Sequence, residues 1–417
     1  MIVRHILPNG VRIVAEPIPH VRSISFGFWI GTGSRNETAE INGISHFLEH
    51  MLFKGTKKRT ARQLAEAFDE IGGQVNAFTS KELTCYYAKV LDEHFTVALE
   101  ILADMFFGST LPEKEIEKEQ KVVIEEIRMA EDTPDDLVHD LLSKAVMGGH
   151  PLGFPILGSV ENVLGFDRVC LEDYRLRHYR PDQTVIALAG HLPEDFLDRI
   201  ESYFSTFSGG GDASVCQPPV FRPDAIVRKK ATEQTHLCLG LPGLSIQDPR
   251  IYALILLNNM LGGNMSSRLF QKVREERGLA YSVYSYHMAY RDCGLFAIYA
   301  GTGPGQENEL MQLIYDTLEE ICQSGVEVSE LNKAKEQLKS GYMLSLESTN
   351  NRMSRLGKNE LLLGKHMTLD ETIELIEQVT TGDILDLAQT LFTQPASLAV
   401  ISPSGGIPSA YRRDVLV

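Results

Sequence analysis

Apolar and polar positions follow the same order of predicted elements in the two halves of the chain. The first half begins with strand-like alternation over 11–15 and 24–29, followed by an apolar helix over 44–53. A β-rich segment over 74–90 and an amphipathic helix over 94–107 come next. This order predicts strands that build a sheet and helices that cover it.

The second half repeats this succession. A strand-like stretch over 235–239 precedes an apolar helix over 251–261, a β-rich segment over 280–299 and an amphipathic helix over 306–321. The repetition predicts an α+β fold of two homologous domains, each a largely antiparallel sheet packed with helices.

The domain boundary is predicted in a glycine-rich and then proline-rich stretch near the middle of the chain. Such a composition is typical of a linker that begins flexible and ends extended. We therefore predict an N-terminal domain over 1–208, a linker over 209–223 and a C-terminal domain over 224–417.

Charge and composition narrow the class of protein. The formal net charge of −16 argues against a nucleic-acid partner, which requires a basic surface. The six cysteines show no CxxC spacing, and they are expected to be reduced. No signal peptide and no apolar run long enough to span a membrane are evident, so a bacterial cytoplasmic location is expected.

The predicted helix over 44–53 carries the candidate chemistry. His46 and His50 are four residues apart and lie on one face, and Glu49 lies beside them. The rest of this helix is apolar, so burying a carboxylate and two imidazoles requires partners. Two core histidines bound to backbone carbonyls are one explanation. A zinc ion held by both imidazoles is the explanation that we favour.

A catalytic zinc site needs a third protein ligand. In the long acidic helix predicted over 113–131, Glu119 and Glu126 fall within the arc of apolar positions and nearly above one another. Glu125 points to the opposite side, among basic residues typical of a solvated face. The periodicity thus favours Glu119 and Glu126 as carboxylates directed toward the protein interior.

The stretch His-Phe-Leu-Glu-His-Met-Leu-Phe-Lys-Gly-Thr over 46–56, with Glu119 and Glu126, resembles the inverted zincins of the pitrilysin/insulinase superfamily. It is most similar to the β subunit of mitochondrial processing peptidase and its bacterial relatives. The resemblance covers essentially the whole chain. It implies one Zn²⁺ per chain, bound by His46, His50 and Glu126. Glu49 is then the general base, and Glu119 supports the site from behind the ligands.

The same resemblance implies where a substrate binds. Asn76, Ala77 and Phe78 match the edge strand that pairs with the substrate backbone in the family. Arg274 and Tyr281 match a pair that steadies the substrate and the tetrahedral intermediate. Family members of this length pair two chains, so we expect a homodimer in which these two residues act on the partner's zinc site.

These observations favour a zinc-dependent endopeptidase that hydrolyses extended peptides, presequence-like or other oligopeptides, through a zinc-activated water with Glu49 as base. The alternative is a non-catalytic scaffold subunit of the same fold. A zinc-dependent binding module is a third hypothesis, but it would more naturally use a cysteine-rich site.

Overall fold

The computed structural model describes residues 2–210 and 216–413. Positions 211–215 of the predicted linker lie outside the described residues. Among the described helices, none combines the length and apolar character needed to cross a membrane.

The strands, in chain order, are β1 Val3–Ile6, β2 Arg12–Pro17, β3 Ser23–Ile30, β4 Gln74–Thr79, β5 Thr84–Leu91, β6 Thr184–Gly190, β7 Ala225–Lys229, β8 Thr235–Gly243, β9 Ala280–Ala289, β10 Gly294–Thr302 and β11 Ser397–Ser402. The α-helices are α1 Ile44–Met51, α2 Ala61–Glu70, α3 Phe95–Gly108, α4 Glu113–Asp132, α5 Pro134–Met147, α6 Val160–Gly165, α7 Arg168–His178, α8 Phe196–Phe204, α9 Ile251–Gly262, α10 Glu307–Ser324, α11 Val328–Ser345, α12 Thr349–Leu362, α13 Leu369–Gln378 and α14 Thr381–Phe392. A π-helical segment spans Phe270–Glu276.

The two sheets share one topology over five strands, and β1 is an additional edge strand of the first sheet. The first has the strand order β1-β2-β6-β3-β5-β4, and the second has the order β7-β11-β8-β10-β9. Strands β2 and β6 are parallel, as are β7 and β11, and the remaining neighbours are antiparallel. Each sheet ends on the first strand of a hairpin pair, β4 in one and β9 in the other. The predicted α+β class with two largely antiparallel sheets is confirmed.

The chain forms two compact units, and each unit is discontinuous in sequence. Unit 1 comprises residues 1–128, 154–216 and 344–366, whereas unit 2 comprises 129–153, 217–343 and 367–417. Helix α5 from the first half thus belongs to unit 2, and helix α12 from the second half belongs to unit 1. The division at 209–223 stays a prediction about domain boundaries.

Helix α12 covers one face of the first sheet. It packs against β3 and β6, and the indole of Trp29 donates a hydrogen bond to the Met353 sulfur at 3.2 Å. A Cβ added to Gly357 would lie 2.4 Å from the Trp29 ring, so only glycine fits there. The opposite face of the sheet packs on α1 and α3, whose apolar residues form the main core of unit 1.

An ionic cluster joins α12 to β1 and β2. The Glu360 side chain is fully buried and accepts hydrogen bonds from Arg4 and His366, both at 2.8 Å. Burial raises the pKa of the Glu360 carboxyl, but the hydrogen bonds from His366 and Arg4 outweigh this effect and lower the pKa to about 2. The cluster therefore contributes stability only while Glu360 is ionised.

We expect Glu360→Gln to lower the free energy of unfolding by about 1–3 kcal/mol at pH 7. The range extends down to about 1 kcal/mol because solvent screens the half-exposed Arg4 and weakens its interaction with Glu360. Because the folded-state pKa is depressed, this stabilisation is present above the unfolded-state pKa of about 4.3 and is lost as the pH falls toward 2. Urea unfolding followed by the fluorescence of Trp29, the single tryptophan of the chain, measures the effect next to α12. A difference between variant and wild type that stays constant from pH 7 to about pH 2.5 would contradict the assignment.

Candidate metal centre

Helix α1 is buried by its apolar residues and begins at an unusual cap. Ile44, Phe47, Leu48 and Met51 have no exposed surface, which matches the burial expected of an apolar helix. Gly43, at the N-cap position, has a φ of 102°, a conformation that favours glycine. Burial of this apolar face therefore fixes the position of the helix in the core, and with it the backbone positions of the polar residues that it carries.

The buried Glu37 carboxylate takes the role of a capping side chain. It accepts hydrogen bonds from the backbone N–H groups of Gly43 at 2.9 Å and Ser45 at 2.8 Å. These N–H groups have no partner within the helix, and a carboxylate at a helix N-terminus is also favoured by the helix dipole. Glu37 thus fixes the start of the helix two residues before His46.

The structure brings His46, His50 and Glu126 together. The Nε2 atoms of the two histidines lie 3.2 Å apart, and Glu126 Oε2 lies 3.7 Å from His46 Nε2 and 3.8 Å from His50 Nε2. Among the described residues, this is the one group of histidine, cysteine and acidic side chains close enough to hold a metal ion. Glu125 instead is exposed and pairs with Arg128.

This arrangement fits a zinc ion. Ligands on tetrahedral zinc lie roughly 3.3–3.5 Å apart when the zinc–nitrogen bonds are about 2.0–2.1 Å, close to the three distances observed. Burial, together with the nearby His50, lowers the pKa of His46 to about 4. His46 is therefore neutral near pH 7, which is the form of imidazole that binds metals.

The Glu119 carboxylate orients His50. Its Oε1 lies 2.8 Å from His50 Nδ1, and its Oε2 lies 2.6 Å from the Lys54 ammonium. Burial alone would raise the pKa of Glu119, but the hydrogen bonds from His50 and Lys54 lower it. An ionised Glu119 places the His50 proton on Nδ1 and leaves the Nε2 lone pair free for a metal.

Glu49 lies on the same helix and has one carboxylate oxygen held by a neighbouring strand. The hydroxyl of Thr79, at the end of β4, donates a hydrogen bond of 2.6 Å to Glu49 Oε2. Burial raises the pKa of Glu49, although Thr79 and His50 act in the opposite direction. A buried carboxylate with a raised pKa is typical of a general base.

Asn76, Ala77 and Phe78 lie in β4, at the edge of the first sheet. Strand β4 pairs with β5 on one side, and no other described strand pairs with its opposite side. The side chains alternate, with Asn76 and Phe78 exposed and Ala77 half-buried. The free backbone edge of β4 is thus available to an added strand.

Arg274 and Tyr281 belong to unit 2 and contact each other. The Arg274 guanidinium lies 4.5 Å from the centre of the Tyr281 ring, a cation–π arrangement. Arg274 lies in the π-helical segment, and Tyr281 is 76% exposed near the start of the edge strand β9. Tyr281 is exposed and Arg274 is half-buried, and the role that the resemblance implies for the pair stays a prediction.

The contacts of Lys54 with Glu119 and of Thr79 with Glu49 were not predicted from the sequence. Lys54 follows the histidine helix directly and has the pattern of an exposed residue at a helix end. Thr79 is thirty residues from Glu49 in the chain, so no local periodicity connects the two. The sequence signal for Thr79 was its position directly after the proposed substrate-binding residues of β4.

Residues 12–160 match the family described as insulinase (Peptidase family M16), and residues 166–338 match the Peptidase M16 inactive domain. The "Uncharacterized zinc protease YmxG" of Bacillus subtilis (strain 168) is 57% identical, covering 98% of this chain and 100% of the relative. The "Uncharacterized zinc protease SCO5738" of Streptomyces coelicolor is 42% identical, covering 96% of this chain and 89% of the relative.

Solved structures show the same fold. A protease from Helicobacter pylori has a TM-score of 0.90 at 22% identity, covering 97% of this chain and 99% of the other. A Peptidase M16 inactive domain protein from Pseudomonas fluorescens has a TM-score of 0.90 at 20% identity, covering 98% and 99%. The matches to the two M16 family descriptions and the 57% identical zinc protease confirm the resemblance of the sequence to the insulinase superfamily, and the chain belongs to Peptidase family M16.

Proposed function

We propose that this protein is a zinc-dependent endopeptidase that hydrolyses extended peptides. The observation that carries the proposal is the convergence of two half-buried imidazoles and a carboxylate, with a second carboxylate, Glu49, on the helix of the two histidines. The names of its closely similar relatives as zinc proteases support zinc as the metal.

His46, His50 and Glu126 would hold one Zn²⁺ per chain. When bound, zinc supplies a Lewis acid that lowers the pKa of a water molecule and polarises a carbonyl group. The ligand set would be two imidazoles, which are neutral when they bind a metal, and one carboxylate, and such a set is typical of a catalytic site. Glu119 and Lys54 keep His50 in the tautomer that binds the metal.

Glu49 is the proposed general base. Its Oε2 is engaged by Thr79, which leaves Oε1 to accept a proton from the attacking water. The same carboxyl can then deliver that proton to the leaving amine as the peptide bond breaks. Surroundings that disfavour the charged carboxylate strengthen Glu49 as a base.

The substrate is proposed to add to β4 as an extra strand. Backbone hydrogen bonds to the edge around Asn76, Ala77 and Phe78 require no particular side chain, and therefore tolerate many sequences. The net charge of −16 favours basic peptides, such as presequence-like segments. We propose that the protein cleaves such segments in the bacterial cytoplasm.

Arg274 and Tyr281 are proposed to act on the active site of a second chain. Both residues are at least partly exposed, and they already form a preorganised cation–aromatic pair. A homodimer in which each chain supplies this pair to its partner would complete two active sites. Arg274 would then steady the substrate carbonyl, and Tyr281 would donate a hydrogen bond to the developing oxyanion.

The proposal is tested by zinc-dependent hydrolysis of quenched fluorescent peptides. We expect the protein to bind one zinc per chain, to lose activity after chelation and to regain it on addition of stoichiometric zinc. Zinc content is measured by elemental analysis and cleavage positions by mass spectrometry. Binding of zinc without cleavage of a diverse peptide library would instead favour the alternative, a non-catalytic scaffold subunit.

A further inference from the structure

We propose that Thr79 is a positioning residue that aims the carboxylate of Glu49, an inference that rests on the proposed function. Its hydroxyl donates a hydrogen bond of 2.6 Å to Glu49 Oε2. Glu49 can rotate about its terminal torsion unless one oxygen is held, because that torsion has broad minima. The bond from Thr79 holds Oε2 and determines where Oε1 points.

Thr79 is suited to this role because its own side chain is restrained. It is β-branched, so few side-chain rotamers are open to it in a strand. It is the last residue of β4 and lies opposite Thr84 across the hairpin. The turn that follows is closed by a hydrogen bond of 2.8 Å from Ser80 N to Leu83 O.

The hairpin turn is in turn fixed to the loop after β3. Backbone N–H groups of Ser34 and Arg35 donate to the carbonyl oxygens of Ser80 and Lys81 at 3.2 and 2.7 Å. A buried ion pair of 2.6 Å joins Arg35 to Glu82. Several contacts that do not involve the metal ligands thus hold the turn after Thr79 in place.

Strand β4 combines two roles in this arrangement. Its unpaired edge is the proposed site for the substrate backbone, while the side chain of its last residue holds the base. Strand β4 therefore fixes the position of the Glu49 carboxylate relative to the proposed substrate strand. Loss of the Thr79 hydroxyl should impair the chemical step more than substrate binding.

The test compares Thr79→Val, which keeps the shape and removes the donor, with Thr79→Ser, which keeps the donor. We expect Thr79→Val to lower kcat roughly 10- to 100-fold with KM within about twofold of wild type, since a misplaced catalytic group costs rate more than binding. Thr79→Ser should restore kcat to within about threefold of wild type. Zinc content, measured without substrate, should stay at the wild-type level in both variants.

Thr84→Val is the matched control. It removes a buried threonine hydroxyl from the opposite strand of the hairpin, where that hydroxyl donates to the Thr32 carbonyl at 2.9 Å and not to Glu49. The inference is overturned if Thr79→Val keeps wild-type kcat, if Thr79→Ser fails to restore it, or if Thr84→Val loses as much kcat as Thr79→Val. Wild-type protein without any Glu49-dependent hydrolysis would overturn the proposed function together with this inference, so the two failures are distinguishable.

Discussion

Glu49→Gln is expected to lower kcat for peptide hydrolysis by roughly 10²–10⁴-fold, the usual contribution of general acid–base catalysis. Glutamine keeps the size of the side chain and can still accept from the Thr79 hydroxyl, but it cannot take up a proton from water. Because Glu49 is not one of the three groups that converge through their ligand atoms, the variant should retain zinc. The loss of activity would then belong to the chemical step.

The measurement combines kcat on a quenched peptide with the zinc content of the same preparation. Glu125→Gln serves as the control, because it makes the same chemical change on an exposed side chain paired with Arg128. Full activity in Glu49→Gln would refute the assignment of the base. Loss of zinc in that variant would show that Glu49 binds the metal, contrary to the proposed division of roles.

Glu126→Gln is expected to weaken zinc binding by more than about 100-fold, beyond the 10–100-fold typical of residues that only orient a ligand. The neutral amide replaces an anionic oxygen that lies 3.7 and 3.8 Å from the two histidine nitrogens. Glu125→Gln, one residue earlier on the same helix, should leave zinc affinity unchanged. The two substitutions have the same chemistry and differ only in the side of the helix that they occupy.

Zinc affinity is measured by competition with a chelator of known affinity, in the absence of peptide and at constant pH. Equal losses in the Glu125 and Glu126 variants would indicate a general effect of helix charge. An unchanged affinity in Glu126→Gln would exclude it as a ligand and direct attention to Glu119, whose carboxylate also contacts His50.

Much of the fold was predictable because apolar periodicity is a local property. Apolar patterning located β2 to β5 and β8 to β10, but not β1, β6, β7 or β11. The shared order of elements in both halves predicted two similar domains. The same reasoning separated Glu126 from Glu125, since 100° per residue is enough to place one toward the core and the other toward solvent. The structure has Glu125 exposed and Glu126 beside the histidines.

Other features were not predictable because they depend on which elements meet. Periodicity indicates that α5 and α12 each have an apolar face, but not that each belongs to the unit built mainly from the other half of the sequence. The contact between Thr79 and Glu49 joins a strand end to a helix, and the Lys54–Glu119 ion pair joins two helices. The roles of Arg274 and Tyr281 came from resemblance alone and stay predictions.

The placement of α12 in unit 1 has a consequence for folding during synthesis on the ribosome. Residues 344–366 complete unit 1, so the ribosome must add all of residues 217–343 before the helix that covers Trp29 exists. Until then, the face of β3 and β6 that α12 covers stays open to water and to other nascent chains. A chain released before residue 344 would therefore expose an apolar face of its first sheet. Chaperones and proteases are expected to act on such a chain.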